Sequence, residues 1–204
     1  MRDLPLTARR PATPADALAL VGARVHEAQG RGRRTFALFQ AARHPGPVVW
    51  IMPDHAPQVL LPLGLPDGLP TRLILLRPKG ETDLLWSLEE SLRATPAALV
   101  IAEPERPLSL TAGRRLQLAA ETGQTTGLVL VQEGQGSPAA ETRWLCAPRP
   151  ADVMAMDSTL HDWSLIKNKR GTSGSWVVNW NGASAAVHMV SAIGERDQPA
   201  DPPG

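Results

Sequence analysis

Ahead of the apolar run Thr35-Phe-Ala-Leu-Phe, the chain carries His26-Glu-Ala-Gln-Gly-Arg-Gly-Arg-Arg, two glycines set among arginines. Glycines followed by cations at the mouth of a helix are the material of a phosphate-binding loop. In the pattern G-x-x-x-x-G-K-[ST], glycines let successive N–H groups curl round a phosphate, the lysine adds a point charge and the hydroxyl ligates magnesium. With Gly32 as the second glycine, the other three positions fall on Glu27, Arg33 and Arg34. Glu27 brings a negative side chain where the pattern has none, and Arg34 cannot ligate a cation. Arg33 keeps the lysine's charge as a planar fork. The expectation is a loop-and-helix scaffold whose phosphate chemistry has been lost.

Other polar residues that could serve such a loop stand just after apolar runs. Pro47–Met52, Arg72–Leu76, Ala98–Ala102 and Thr126–Val131 are short apolar stretches bounded by breakers, which predict strands buried on both faces. Three of them are followed by Asp54, Glu103 and Gln132. Ligands of an open parallel sheet lie outside the carboxyl ends of its strands, so these positions suit an acid for water activation, an acid for a magnesium shell and a γ-phosphate sensor. Each taken singly is also what an ordinary strand end looks like. Between the strands, Glu81–Ala94 has a stripe of Leu84, Leu85, Leu88 and Leu92, and Leu110–Thr122 stops at Gly123, so both predict helices. Thr13-Pro14-Ala15-Asp16 opens a further short helix through Val21. Pro53–Pro70, with five prolines, predicts irregular structure and one helical turn.

Strands alternating with helices give an α/β fold, a mostly parallel sheet flanked by helices on both faces. After residue 134 the pattern changes. Residues 143–147, 162–166, 176–180 and 185–190 predict antiparallel strands that extend the sheet, with Trp144, Trp163, Trp176 and Trp180 as packing residues. The expected organisation is a flexible arm over residues 1–12, one core domain over 13–191 and a disordered tail over 192–204.

A net charge of +1 excludes a surface that is nucleic-acid footprint throughout, so any basic site must be local. Candidates are Arg31, Arg33 and Arg34, the pair Arg114–Arg115, and Lys167-Asn-Lys169-Arg170. Solvated charges at loops and helix ends are the plainer reading of each. Cys146 is the only cysteine, which excludes an internal disulfide, and the five histidines lack metal-ligand spacing, so neither metal nor cofactor is expected. No apolar run could span a bilayer and no signal peptide is evident, so the expected location is the cytoplasm, with no membrane partner.

The order of these pieces resembles the core domain of the RecA recombinase family: loop, strand ending near Asp54-His-Ala, Leu-Ile-Leu-Leu-Arg-Pro with a Glu-rich helix, Leu-Val-Ile-Ala-Glu103 and Leu-Val-Leu-Val-Gln132. The resemblance covers roughly residues 20–180. It implies that Asp54 matches a catalytic glutamate, Glu103 the Walker B aspartate and Gln132 the γ-phosphate-sensing glutamine. It also implies that Lys167 and Lys169 lie at an edge that meets a neighbour, and Arg170 of the same basic run is a further candidate for partner contact. More specifically, Thr-Ala-Gly-Arg-Arg-Leu-Gln-Leu-Ala-Ala-Glu at 111–121, Thr-Arg-Trp at 142–144 and Gly-Ser-Trp-Val-Val at 174–178 resemble the ImuA family, RecA-related accessory proteins of a bacterial DNA-damage-inducible mutagenesis cassette. Membership implies work in SOS-induced translesion synthesis beside ImuB, an inactive Y-family polymerase relative, an error-prone DnaE-type polymerase, and RecA. The departures from Gly-Lys-Ser/Thr predict negligible ATPase, because positioning and neutralising the phosphoryl group is most of that catalysis. A weak ATP-binding NTPase using Arg33 and Arg34, and a division inhibitor of the SulA type, are the competing expectations. Weak single-stranded DNA binding by the arginine loop or by Lys167, Lys169 and Arg170 is compatible with all three.

Overall fold

A computed structural model describes residues 14–57, 60–94, 97–150, 158–182, 184 and 186–193. Nine strands form one sheet in the order β3-β2-β4-β5-β1-β6-β7-β8-β9. They are β1 (Val25–Gln29), β2 (Val48–Ile51), β3 (Leu73–Leu76), β4 (Leu99–Ala102), β5 (Thr126–Leu130), β6 (Thr142–Arg149), β7 (Ser158–Asn168), β8 (Gly174–Asn181) and β9 (Val187–Ile193). The six strands from β3 to β6 are mutually parallel, and β6 to β9 form an antiparallel extension. The expected fold class is thus observed.

Alternation along each buried strand feeds two cores. Val48 and Trp50 of β2, with Leu99 and Ile101 of β4, point to the face covered by α1 (Arg33–Arg43), whose Phe36 and Phe39 meet Trp144 and Trp163. Val49, Ile51, Val100 and Ala102 point to the opposite face. There α2 (Gly80–Arg93) and α3 (Leu110–Gly123) bury Leu84, Leu88, Leu92, Leu116 and Ala120. Around β2, β4 and β5 both faces are sealed, so these strands are apolar on both sides, as parallel strands under helices must be. β3, expected to be buried in the same way, lies at the edge of the sheet and leaves Ile74 49% and Leu75 38% exposed. Trp144, Trp163 and Trp180 are all buried, and Trp176 packs at 5.6 Å on Trp144, so the tryptophans are packing residues as expected.

Two further expectations need correction. Residues 25–29 form the strand between β5 and β6, inside the parallel sheet, although Val-His-Glu-Ala-Gln has none of the apolar continuity of the other strands. Its polar side chains are individually satisfied, which removes the penalty for burying them. His26 Nε2 donates to the Val21 carbonyl at 2.9 Å, while Nδ1 accepts from the Thr142 hydroxyl at 2.7 Å. Glu27 accepts from the Ser137 N–H and from Arg143 Nε, both at 2.8 Å. Gln29 accepts from the Gly134 N–H at 3.3 Å. Secondly, the expected helix through Val21 is a single 3-10 turn, Pro14–Leu18. The carbonyls at and beyond its end are bound by side chains from elsewhere: Gln40 Nε2 takes that of Leu18 at 2.7 Å, and His26 takes that of Val21.

The short turn expected within Pro53–Pro70 is present as Pro62–Gly64. The arm over residues 1–12 lies outside the described residues. So does the tail from 194 onward, while strand backbone continues through Ile193. Among the described residues no helix is long and apolar enough to cross a membrane.

Candidate functional site

The carboxyl edge of the parallel sheet gathers most of the residues singled out from the sequence. Asp54, Glu103 and Gln132 follow β2, β4 and β5, three neighbours, and residues 30–32 follow β1, the next strand along. Sequence order and strand order together therefore put them in one row. What happens within that row is governed by how short the β1–α1 turn is.

Because Glu27 lies inside β1, only residues 30–32 separate strand from helix. This corrects the expected loop register, in which Glu27 held the first glycine's place. Gly30 has φ +89°, a left-handed conformation that glycine adopts without strain. A Cβ there would strike the Cys146 carbonyl of β6, and one on Gly32 would lie 3.2 Å from the same oxygen. The turn is pressed onto β6, and the Gly32 N–H donates to the Cys146 carbonyl at 2.8 Å. The Arg33 N–H is turned back to the Gly30 carbonyl at 3.3 Å. Two donors that a phosphate loop would aim at its ligand, the Gly32 and Arg33 N–H groups, are thus spent on the fold itself.

The two arginines continue this internal use. Arg33 donates to the Gly30 carbonyl at 3.1 Å. Arg34, in the place of the magnesium-ligating hydroxyl, reaches across to Glu103: Nε lies 3.1 and 2.9 Å from its two carboxylate oxygens, and a terminal nitrogen lies 2.8 Å from Oε2. Trp50 Nε1 adds a third donor to the same carboxylate at 2.8 Å. With only 11% of the Glu103 side chain exposed, its charge is neutralised almost entirely by Arg34. An arginine and an acid thus meet where a hydroxyl and an acid would share a metal.

Asp54 and Gln132 take no part in that pair. The Asp54 carboxylate meets His55 Nδ1 at 3.3 Å, and His55 Nε2 meets Glu105 at 2.8 Å. Glu105 chiefly, and then Asp54, hold the exposed His55 imidazolium above its usual pKa. The Asp54 carbonyl accepts from Arg77 at 2.6 Å, which ties the ends of β2 and β3 together. Gln132 is exposed, and its carbonyl accepts from the Gln135 N–H within the turn after β5. Among the described residues no cluster of His, Cys, Asp or Glu could hold a metal ion.

The basic run lies at the other end of the sheet. Thr142 at the start of β6 pairs with Asn168, and β6 runs parallel to β1, so Lys167, Lys169 and Arg170 stand at the amino edge. Their cations turn inward on the β5–β6 connection. Lys167 Nζ donates to the Pro138 carbonyl at 2.7 Å, Lys169 Nζ to the Ala139 carbonyl at 2.8 Å, and Arg170 pairs with Glu141 at 2.6 Å. The structure therefore divides the candidate residues between two opposite edges.

Sequence reasoning missed the groups that hold this connection in place. Gln117 of α3 donates to the carbonyls of Val25 and Ala139 at 2.8 and 3.1 Å and accepts from the Val25 N–H at 3.1 Å. Arg143 links Glu27 to the Ser137 carbonyl. Gln117 does lie within the 111–121 stretch that resembled a family, but nothing in its spacing announced a contact to β1.

No protein-family model matches the chain. Among curated proteins it is similar to Protein ImuA from two strains of Caulobacter vibrioides, NA1000/CB15N and ATCC 19089/CB 15. Each is 33% identical over 175 residues, which covers 76% of this chain and 70% of the relative.

Proposed function

The chain belongs to the ImuA family, and from that premise we propose that it serves DNA-damage-inducible mutagenesis as a non-catalytic accessory factor. It works through protein contacts with an ImuB-type inactive polymerase, and with RecA, during error-prone translesion synthesis. The error-prone DnaE-type polymerase is engaged indirectly. The observation that carries the non-catalytic reading is the Arg34–Glu103 pair. Phosphoryl transfer needs a metal held between a hydroxyl and an acid, together with free N–H donors round the phosphates. Here the hydroxyl position is a guanidinium, the acid is already neutralised, and the Gly32 N–H is bonded to β6.

The test is direct binding of the purified chain to its cassette's ImuB-type protein, with and without Mg-ATP, alongside phosphate release by the chain alone. The expected result is one affinity in both conditions and release no faster than in buffer. Magnesium-dependent turnover that disappears in Arg33→Ala would overturn the reading in favour of a weak NTPase. Failure to bind the ImuB-type protein or RecA, with filamentation of cells that overproduce the chain, would favour division inhibition.

A further inference from the structure

The amino edge carries a groove of about 540 Å³ that none of the preceding chemistry uses. It is lined by Leu110, Arg114, Gln117 and Leu118 of α3 together with Pro138, Ala139 and Lys169. Positions 110, 114 and 118 recur every four residues and share a helix face. The groove exists because the connection is held hard against α3. A Cβ on Gly113 would lie 2.6 Å from Ser137 Oγ and 2.8 Å from the Ala139 Cβ, so only glycine admits the segment this closely. Gln117 then clips it through the Ala139 carbonyl.

Two properties of the groove point to its occupant. Its floor is apolar and open: Leu118 is 62% and Leu110 42% exposed, on a face that no element of the described fold covers. Its rim is cationic without compensating acid. Arg114 has no ion-pair partner among the described residues, and Lys167 and Lys169 rest on carbonyl oxygens. Nearby carboxylates are already engaged, Glu121 by Arg24 at 2.6 Å and Glu141 by Arg170. Besides desolvation, the neighbouring charges of Arg143 and Lys169 push the Lys167 pKa down, and Glu27 and Glu141 offset only part of this.

We propose that this groove binds a partner's peptide segment carrying leucine- or phenylalanine-type anchors beside aspartates or glutamates, the anchors against Leu110 and Leu118 and the carboxylates on Arg114 and the lysines. Helix-in-groove recognition works in this way, with apolar anchors giving affinity and rim charges giving orientation. Single-stranded nucleic acid fits the rim but not the floor, because stacking platforms are aromatic and this lining has no aromatic ring. A second copy docked through the same face would set its Arg114 and lysines against their own kind.

The inference rests on the proposed partnership with the ImuB-type protein, so the experiment separates the two. Affinities of the full chain for the intact ImuB-type protein are measured for wild type, Leu118→Glu, Arg114→Glu and, as a distant exposed control on α2, Trp86→Glu. Peptides of about 15 residues tiled across that partner are then tested against the same four proteins. Leu118→Glu and Arg114→Glu each weaken binding at least tenfold, Trp86→Glu stays within twofold, and the peptides that bind are acidic and carry large apolar residues. Wild-type affinity in both groove variants overturns the groove and leaves the partnership standing, as do basic binding peptides or an oligonucleotide that displaces the partner. A dimer broken by Leu118→Glu assigns the face to a second copy and likewise overturns it. Absence of any binding to the wild-type chain overturns the partnership, and the groove with it. Circular dichroism and thermal unfolding matched to wild type confirm that each variant folds.

Discussion

A single guanidinium decides the chemistry of the carboxyl edge. Arg34 gives Glu103 a fixed counter-charge in the place where a metal would otherwise compensate the acid. Such a pair is poor evidence for net stability but costly to break from one side, because the remaining charge stays buried. Arg34→Ala leaves Glu103 with Trp50 as its one donor and is expected to cost about 2–4 kcal/mol in urea unfolding. Glu103→Gln keeps an acceptor for Trp50, and Arg34, 27% exposed, can turn to water, so its cost is expected near 1 kcal/mol. The double variant should cost less than the sum, since the two residues share one interaction. An Arg34→Ala protein as stable as wild type would show that the pair neutralises nothing that matters.

At the level of elements, the β1–α1 turn carries the argument that side chains alone cannot. Restoring the motif's residues with Arg33→Lys and Arg34→Thr is expected not to create Mg-ATP binding in calorimetry, because the turn is confined to residues 30–32 and the Gly32 N–H remains on Cys146. Tight binding by that variant would mean that backbone closure of the turn does not keep Mg-ATP out. Gly30→Ala adds both a left-handed φ and a clash with the Cys146 carbonyl, and is expected to cost more than about 2 kcal/mol. The sequence revealed the elements that announce themselves by apolar content. The strands of β2, β3, β4 and β5 and the stripe of α2 follow from local pattern, whereas α3 runs through the expected cap Gly123 and closes on a left-handed Gln124, φ +52°. It concealed β1, whose His26, Glu27 and Gln29 are buried only because Thr142, Ser137, Arg143 and residue 134 arrive from more than a hundred residues away. The misplaced loop register follows from the same omission, since counting back from Gly32 could not reveal that the strand continues to Gln29. The row Asp54–Glu103–Gln132 was readable from strand ends, whereas the pairing of Arg34 with Glu103 required knowing that β1 lies two strands from β4.

The whole molecule turns on that same polar strand, because β1 joins the parallel sheet to the antiparallel extension through β5 on one side and β6 on the other. Its His26 is neutral in the fold. Burial pushes the imidazole pKa from 6.5 down to about 4, and the hydrogen bond to Val21 offsets only part of that effect. Unfolding returns it to the ordinary value, so between those limits the unfolded chain binds the extra proton and stability rises with pH. The contribution is complete above about pH 6.5 and is lost as the pH falls toward 4. At about 1.4 kcal/mol for each factor of ten in proton affinity, it amounts to about 3 kcal/mol. His44 and His161, also held below their usual pKa by burial, act in the same direction. The exposed His55 opposes them, its effect fading as pH rises through its elevated pKa. Urea unfolding at about pH 7 and about pH 5 should therefore give a clear loss in the wild type and a smaller one in His26→Gln, even though that variant starts less stable. Equal losses in the two proteins would remove His26 as the acid-sensitive point and place the sensitivity with the other histidines. The expected difference instead makes the joint between the two halves of the sheet the place where mild acid opens the molecule, since protonated His26 loses its acceptor role toward Thr142 at the first residue of β6.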